Sequence, residues 1–333
     1  MNYLSLNEYL KKQFGCKVYK LAIDGGFTCP NRDGSVGSRG CIFCSGFGSG
    51  DFAASRNLTI TEQIETAKDR VKNKIKDGKY IAYFQAFTNT YAKIDELREK
   101  FTEAINHPDI VAISVGTRPD CLPEDVLNLL SELNKIKPVW VELGLQTIHE
   151  ESANFIRRGY PLATYDTAVK NLKSRGIYVI THVILGLPGE SEEMMLDTVK
   201  YACYGTTDLS DKNSLISQID GIKLQLLHII KGTDLGILYE HFHNNLEISG
   251  LEQTEGFIND IFSINEIKLM KNYECIDFED YVNLISKCVS IIPNDIAIHR
   301  LTGDGDKKTL IAPLYSGDKK RVLNAINKAL SVS

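Results

Sequence analysis

Along the first 230 residues, short apolar runs alternate with stretches whose apolar positions recur every three or four residues. The runs CKVYKLAI (16–23), YIAYF (80–84), IVAISV (110–115), VWVELGL (139–145), IYVITHVIL (177–185) and IKLQLLHI (222–229) predict six strands. Helical spacing joins Ile60, Ile64, Ala67, Val71 and Ile75, then Ile94, Leu97, Phe101 and Ala104, and helices are predicted after Pro123 and at 149–158, 164–175 and 191–204. Two capping boxes, Ser5 with Glu8 and Thr59 with Glu62, mark helix starts, and Gly78 is placed where a helix C-cap glycine belongs. Continuous apolar strands alternating with amphipathic helices predict an α/β fold, a parallel sheet covered by helices. Six such units in this length predict a partial (β/α)6 barrel rather than an open doubly wound sheet. Functional groups of such folds gather beyond the C-terminal ends of the strands, and the polar motifs here follow the first five.

Beyond about residue 231 the pattern changes, which predicts a barrel over 1–235, a helical insertion over 236–274 and a C-terminal extension over 275–333. Within the extension, YECIDFEDYVNLISKCVSIIP reads as a helix, NDIAIHRL as a strand and GDKKRVLNAINKAL as a terminal helix. The net charge of −5 argues against a globally basic protein that coats nucleic acid. No apolar run approaches the ~20 residues that cross a bilayer, and MNYLSLNEYLKKQFG has no apolar signal core, so the expectation is a cytoplasmic protein, with no membrane partner and with reduced thiols. Of the eight cysteines, Cys16, Cys121, Cys203, Cys275 and Cys288 are scattered and read as small buried apolar residues.

The remaining three crowd into CPNRDGSVGSRGCIFC (29–44) as Cys29, Cys41 and Cys44. A structural zinc site closes with four protein ligands, and no second CxxC supplies the fourth. Three thiolates suit a four-iron cluster with one iron left open, and spacing alone leaves cluster, zinc and no metal as alternatives. The glycines around Arg32, Asp33 and Arg39 allow the backbone to wrap closely, and Phe43 is placed to shield the site from water.

The CIFC ending after a first barrel strand resembles the radical SAM superfamily, although eleven residues separate Cys29 from Cys41 where three are usual. IDGGFTCPNRDG, FCSGFGSGDF, YFQAFTNTYA, GTRPDCL, ELGLQT, RRGY, THVILGLPGE and HRLTGDGD are similar to its YtqA/YhcC-like branch, a relative of the radical SAM domain of the elongator acetyltransferase subunit. The resemblance implies that Cys29, Cys41 and Cys44 hold a [4Fe-4S] cluster, with S-adenosylmethionine (SAM) on the open iron. It implies that Thr88 and Asn89 stand where relatives contact the SAM amino group, Glu142 and Gln146 at the ribose, Arg158 (rather than Arg157) at the carboxylate, and Ile184 and Gly186 at the adenine. Alternation in ELGLQ sets Glu142 and Gln146 on one face of their strand.

Arg118, Asp120, His182, His299 and Arg300 are candidate substrate contacts, with a structural Arg118–Asp120 pair and a core His182 as the plain readings. HRLTGDGD is placed at the barrel mouth, and Lys307, Lys308, Lys319, Lys320 and Arg321 form a local basic cluster. The branch further implies a tRNA substrate: conversion of 5-carboxymethylaminomethyl-uridine to 5-aminomethyl-uridine at the wobble position. It also implies a flavodoxin- or ferredoxin-type electron donor and a downstream tRNA methyltransferase as partners. The rival readings are a radical SAM enzyme acting on a small or porphyrin-like molecule and a zinc-stabilised, non-catalytic RNA-binding protein.

Overall fold

The computed structural model describes residues 3–46, 48, 53–73, 75, 78–211, 215–243, 255–303 and 307–332. Its elements are α1 (Leu6–Phe14), β1 (Val18–Ile23), α2 (Ile60–Val71), β2 (Lys79–Phe84), α3 (Ile94–Asn106), β3 (Ile110–Thr117), α4 (Glu124–Asn134), β4 (Val139–Gln146), α5 (Glu150–Phe155), α6 (Leu162–Lys173) and β5 (Tyr178–Leu185). There follow α7 (Glu192–Tyr204), β6 (Gly221–Leu226), β7 (Ile229–Ile230), α8 (Asp234–His243), α9 (Glu255–Ile261), α10 (Ile264–Lys271), α11 (Phe278–Ile291), β8 (Ala297–Arg300), β9 (Leu310–Ala312) and α12 (Lys319–Val332). Both capping boxes form: Ser5 accepts from the Glu8 amide and Thr59 from the Glu62 amide, while each glutamate reaches back to its cap.

Seven strands form one parallel sheet in the order β1-β2-β3-β4-β5-β6-β8. Lys223 of β6 donates to the Tyr83 hydroxyl of β2 at 3.1 Å. In a flat sheet those strands would lie about 19 Å apart, farther than the two side chains span, so the sheet must curl. The result is a partial barrel with the helices outside.

The period of two along each strand sorts its residues into layers. Leu21, Ala82, Ile113, Val141, Val179 and Leu224 point outward into the main core with Ile64, Phe101, Leu130 and Leu172 of the helices. At the lowest inward level, Val18, Ile81, Ala112, Trp140 and Ile180 pack with Leu10 of α1. Tyr9 adds an edge contact to Trp140, which stacks on Tyr178 at 4.8 Å, so α1 plugs the N-terminal end. The next inward level is polar, and the one above it opens at the C-terminal ends of the strands.

Four expectations need correction. The sixth strand stops at Leu226, and Ile229–Ile230 pairs separately, antiparallel to Leu310–Ala312. Gly78 caps no helix: α2 already ends at Val71, and a Cβ at Gly78 would lie 2.6 Å from the Lys17 carbonyl oxygen, so glycine there permits a close chain approach. The C-terminal segment is more than an appendage, because β8 becomes the seventh strand of the main sheet. Cys121, Cys203 and Cys288 are buried as expected, whereas Cys16 and Cys275 are half-buried. The segment from 236 is helical where described, and 244–254, like 304–306 of HRLTGDGD, lies outside the described residues. Among the described residues no helix is long and apolar enough to cross a membrane.

Candidate functional site

The loop after β1 folds back on itself through its own backbone. The Arg32 and Asp33 amides donate to the Cys29 carbonyl, Gly40 to Asn31 at 2.6 Å, and Cys44 to Cys41 at 3.0 Å. Arg32 closes the ring by donating to the Cys44 and Ser45 carbonyls at 2.9 and 2.7 Å. Gly40 has φ +77° and its missing Cβ would meet the Arg32 guanidinium at 2.9 Å, so the loop needs glycine there. Asn31 ties the loop to the chain after α5, donating to the Arg157 carbonyl at 2.6 Å and to Cys41 Sγ at 3.5 Å.

Cys29, Cys41 and Cys44 all line one cavity of about 320 Å³ at the barrel mouth, and none is in a disulfide. Burial pushes the Cys41 thiol up to about 12, with Cys44 and Cys29 adding to the effect. A buried thiol of this kind resists ionisation unless a cation joins it, as a metal centre does. No fourth cysteine lines the cavity among the described residues. Three sulfurs and an open side therefore fit a cluster that keeps one iron for a ligand better than they fit a closed zinc site.

Among the described residues, three non-glycine residues adopt left-handed backbone: Phe87 (φ 60°), Gln146 (φ 66°) and Arg157 (φ 56°). Phe87 and Gln146 line the cavity, and Arg157 holds the cysteine loop. Gln146 follows a register shift in β4, and its buried Oε1 has no hydrogen-bond partner. Such an acceptor in an open cavity suits a ligand hydroxyl or amine.

The other predicted contacts divide. Phe43, Thr88 and Ile184 line the cavity. Asn89 does not: its amide nitrogen donates to the Gly116 carbonyl at 2.8 Å, bracing the turn after β2 against β3. Gly186 lies outside the lining as well, and a Cβ there would meet Ile276 at 3.1 Å. Arg158 lines the cavity, but its guanidinium donates to the carbonyls of Tyr160, Leu145 and Thr147 and to Glu150. It is the anchor of the β4–α5 turn. Arg118 grips Asp120 through two hydrogen bonds of 2.9 and 2.7 Å and donates to the Arg158 carbonyl, so the structural pair is what forms.

Glu142 differs most from expectation. Its fully buried carboxylate sits in the polar layer below the mouth and is taken up by four partners: Lys20 of β1 at 2.6 Å, Ser114 of β3 at 2.7 Å, His182 of β5 at 2.7 Å, and Lys223 of β6. Burial alone would raise its pKa, yet Lys20, Lys223 and His182 hold it well below the usual carboxylate range. Burial brings Lys223 down to about 7 against the pull of Glu142, with Lys20 and Arg300 adding like-charge repulsion. Burial likewise brings His182 to about 4, so its Nδ1 is free to accept from Gln225 (3.3 Å) while Nε2–H donates to Glu142.

Arg300 lines the cavity near Gln225, but His299 does not; its ring packs edge-on to Trp140 in the plug. The bulge where β6 meets β8 carries Arg300 into register with Lys223 and leaves His299 a level lower. Lys20, Tyr83, Ser114, Lys223 and Gln225 were not singled out from sequence, although a lone lysine inside an apolar strand, as in VYKLAI and GIKLQL, is the signal. Also unread was a clasp in which Asp234 of α8 binds Arg39 (2.7 and 2.6 Å) and Arg157, and Glu266 of α10 binds Arg157 at 2.7 Å.

Comparison with known proteins gives a consistent picture. The Radical SAM superfamily profile matches residues 34–202, and the Radical_SAM C-terminal domain profile matches 267–331. YtqA of Bacillus subtilis is 43% identical over 328 residues, covering 98% of this chain and 89% of that protein. YhcC of Escherichia coli is 34% identical, covering 92% and 85%. A tRNA uridine(34) acetyltransferase of Methanocaldococcus jannaschii is 35% identical over 99 residues, which is 30% of this chain and 18% of that enzyme. Among solved structures, Elp3 of Methanocaldococcus infernus superposes with a TM-score of 0.61 at 18% identity, over 94% of this chain and 63% of that one.

Proposed function

From the premise that this chain belongs to the radical SAM superfamily, in its YtqA/YhcC-like branch, we propose that it modifies tRNA, converting 5-carboxymethylaminomethyl-uridine at the wobble position to 5-aminomethyl-uridine. Its cofactors are a [4Fe-4S] cluster and SAM. Cys29, Cys41 and Cys44 are assigned as the cluster ligands, supported by their shared cavity and the closed loop around them. Gln146, Thr88, Phe43 and Ile184 are assigned to SAM, with the unpartnered Gln146 oxygen as the strongest of these contacts. Written in balance, the conversion would consume one water and release the two carbons as glyoxylate, for which SAM, when bound, would supply the two-electron oxidation as it is converted to methionine and 5′-deoxyadenosine.

The chain's own residues hold and enclose. Arg32, Asn31 and the Arg39–Asp234–Arg157 clasp fix the cysteine loop over the mouth, while the α1 plug keeps water from entering below. The observation that carries the tRNA reading is the 99-residue stretch shared with an enzyme named for uridine 34 of tRNA. The exposed Lys307, Lys308, Lys319, Lys320 and Arg321 are assigned to tRNA phosphates. A cytoplasmic location, a flavodoxin- or ferredoxin-type donor and a methyltransferase acting on the product amine complete the proposal, with 1–235 as the body of the catalytic barrel, 236–274 as an insertion and 275–333 as an extension that supplies the seventh strand. Incubating tRNA that carries the carboxymethylaminomethyl group with reduced, reconstituted enzyme, then digesting it for nucleoside mass spectrometry, tests this. Appearance of 5-aminomethyl-uridine with glyoxylate supports it; unchanged nucleosides refute it.

A further inference from the structure

Among the described residues, two side chains lining the cavity carry a buried oxygen with no hydrogen-bond partner: Gln146, already assigned to SAM, and Ser45, which directly follows Cys44. The backbone around Ser45 is held firmly. Its carbonyl accepts from Arg32 at 2.7 Å and from the Gly48 amide at 3.0 Å, and the Cys44 carbonyl accepts from Arg32 at 2.9 Å. A Cβ on Gly48 would stand 2.5 Å from the Phe87 ring, and the Arg32 guanidinium lies over the same ring at 5.6 Å, so this turn is seated against Phe87.

The other hydroxyls of the lining are engaged elsewhere. Thr117 meets Thr90 at 2.6 Å, Tyr160 donates to the Gly144 carbonyl, Tyr83 accepts from Lys223 at 3.1 Å, and Thr88 is assigned to SAM. A buried hydroxyl with no partner is costly unless a bound group supplies one. A cluster held by Cys29, Cys41 and Cys44 would present thiolate and sulfide sulfurs to this cavity, and these are negatively charged acceptors. One sulfur already has a side-chain donor, since Asn31 gives Cys41 Sγ an N–H at 3.5 Å.

We propose that the Ser45 hydroxyl donates to a sulfur of the cluster and, as a second donor beside Asn31, raises the cluster's reduction potential. The inference rests on the assignment of the three cysteines as cluster ligands. Reduction adds one negative charge to the cluster, so a hydrogen bond to its sulfur strengthens in the reduced form and favours that form. Ser45 is thus a positioning residue that acts through the cluster and exchanges no proton with substrate.

The test is a reduction titration of reconstituted protein without SAM, followed by the paramagnetic signal of the reduced cluster, in wild type, Ser45→Ala and Ser45→Thr. Iron and sulfide are measured on each sample first. Ser45→Ala is expected to shift the reduction equilibrium about tenfold against the reduced form, which is about 59 mV downward for one electron, while Ser45→Thr keeps the hydroxyl and the wild-type value. Proton electron–nuclear double resonance in H2O and D2O gives a second readout. One exchangeable coupling seen in wild type and Ser45→Thr is expected to be missing from Ser45→Ala. Should the alanine variant take up no cluster, Ser45→Gly, which also lacks the hydroxyl, is read in its place. A potential or a coupling that loss of the hydroxyl leaves unchanged overturns the proposal, as does an equal shift in Ser45→Thr. An effect that appears only once SAM is added assigns the hydroxyl to SAM and overturns it too. Cys41→Ala, run alongside, separates the two levels of the argument: a full wild-type signal there refutes the ligand assignment and this inference with it, whereas an unmoved potential in Ser45→Ala refutes the role of Ser45 alone.

Discussion

Glu142 shows how one residue can organise a barrel interior. Its carboxylate answers four strands at once, and removing its charge would leave Lys20 and Lys223 buried beside each other. Glu142→Gln is therefore expected to cost about 3–5 kcal/mol, read as a lower midpoint in urea unfolding, because an uncompensated buried charge is worse than no charge. Lys223 sets a second expectation. Below about pH 7 it is protonated both folded and unfolded, so the whole cost of burying its charge is present. Between about 7 and the ordinary lysine range only the unfolded chain keeps the proton, so this residue's contribution to stability rises with pH. Unfolding of wild type and Lys223→Met compared at about pH 6 and about pH 9 should show the wild type gaining on the variant at the higher pH. Parallel pH profiles would contradict the assignment. Alternation in ELGLQ set Glu142 on one face of its strand with Gln146 but named none of its partners, because the contact between β1, β4 and β6 depends on how far the sheet curls. No local pattern states that.

At the level of elements, the parts legible beforehand were those governed by neighbours in sequence. The Ser5 and Thr59 boxes, the apolar stripe of α3 and the strands β2 to β5 form where the pattern put them. The split after Leu226 was illegible because Leu227 and Ile229 continue the apolar run; both are buried, but in a second cluster with Leu235 and Leu238 of α8. The α1 plug was legible as a helix but not as a floor. Trp140→Ala, which removes the ring packed against both Tyr9 and Tyr178, is expected to cost about 3–5 kcal/mol on unfolding and to admit water below the polar layer. The clasp joins elements far apart in the chain. Asp234→Asn leaves Arg39 and Arg157 without their shared carboxylate, with an expected loss of about 1.5–3 kcal/mol and faster bleaching of the cluster's visible absorbance in air. Unaltered bleaching would mean that the clasp does not hold the cysteine loop.

Across the whole molecule, the seven-stranded parallel sheet gathers the cavity at the C-terminal end of a partial barrel, and the proposed cluster would account for the three cysteines found there. The barrel class was legible from alternation alone. The seventh strand was not, since β8 is four residues long and lies more than sixty residues beyond β6. The measurement that bears most directly on the central claim is 5′-deoxyadenosine release by anaerobically reconstituted, reduced protein, with and without tRNA bearing the carboxymethylaminomethyl group. The account predicts slow release alone and a severalfold rise with that tRNA, abolished in Cys41→Ala. Release indifferent to tRNA, or none from protein carrying its full iron and sulfide, would contradict it.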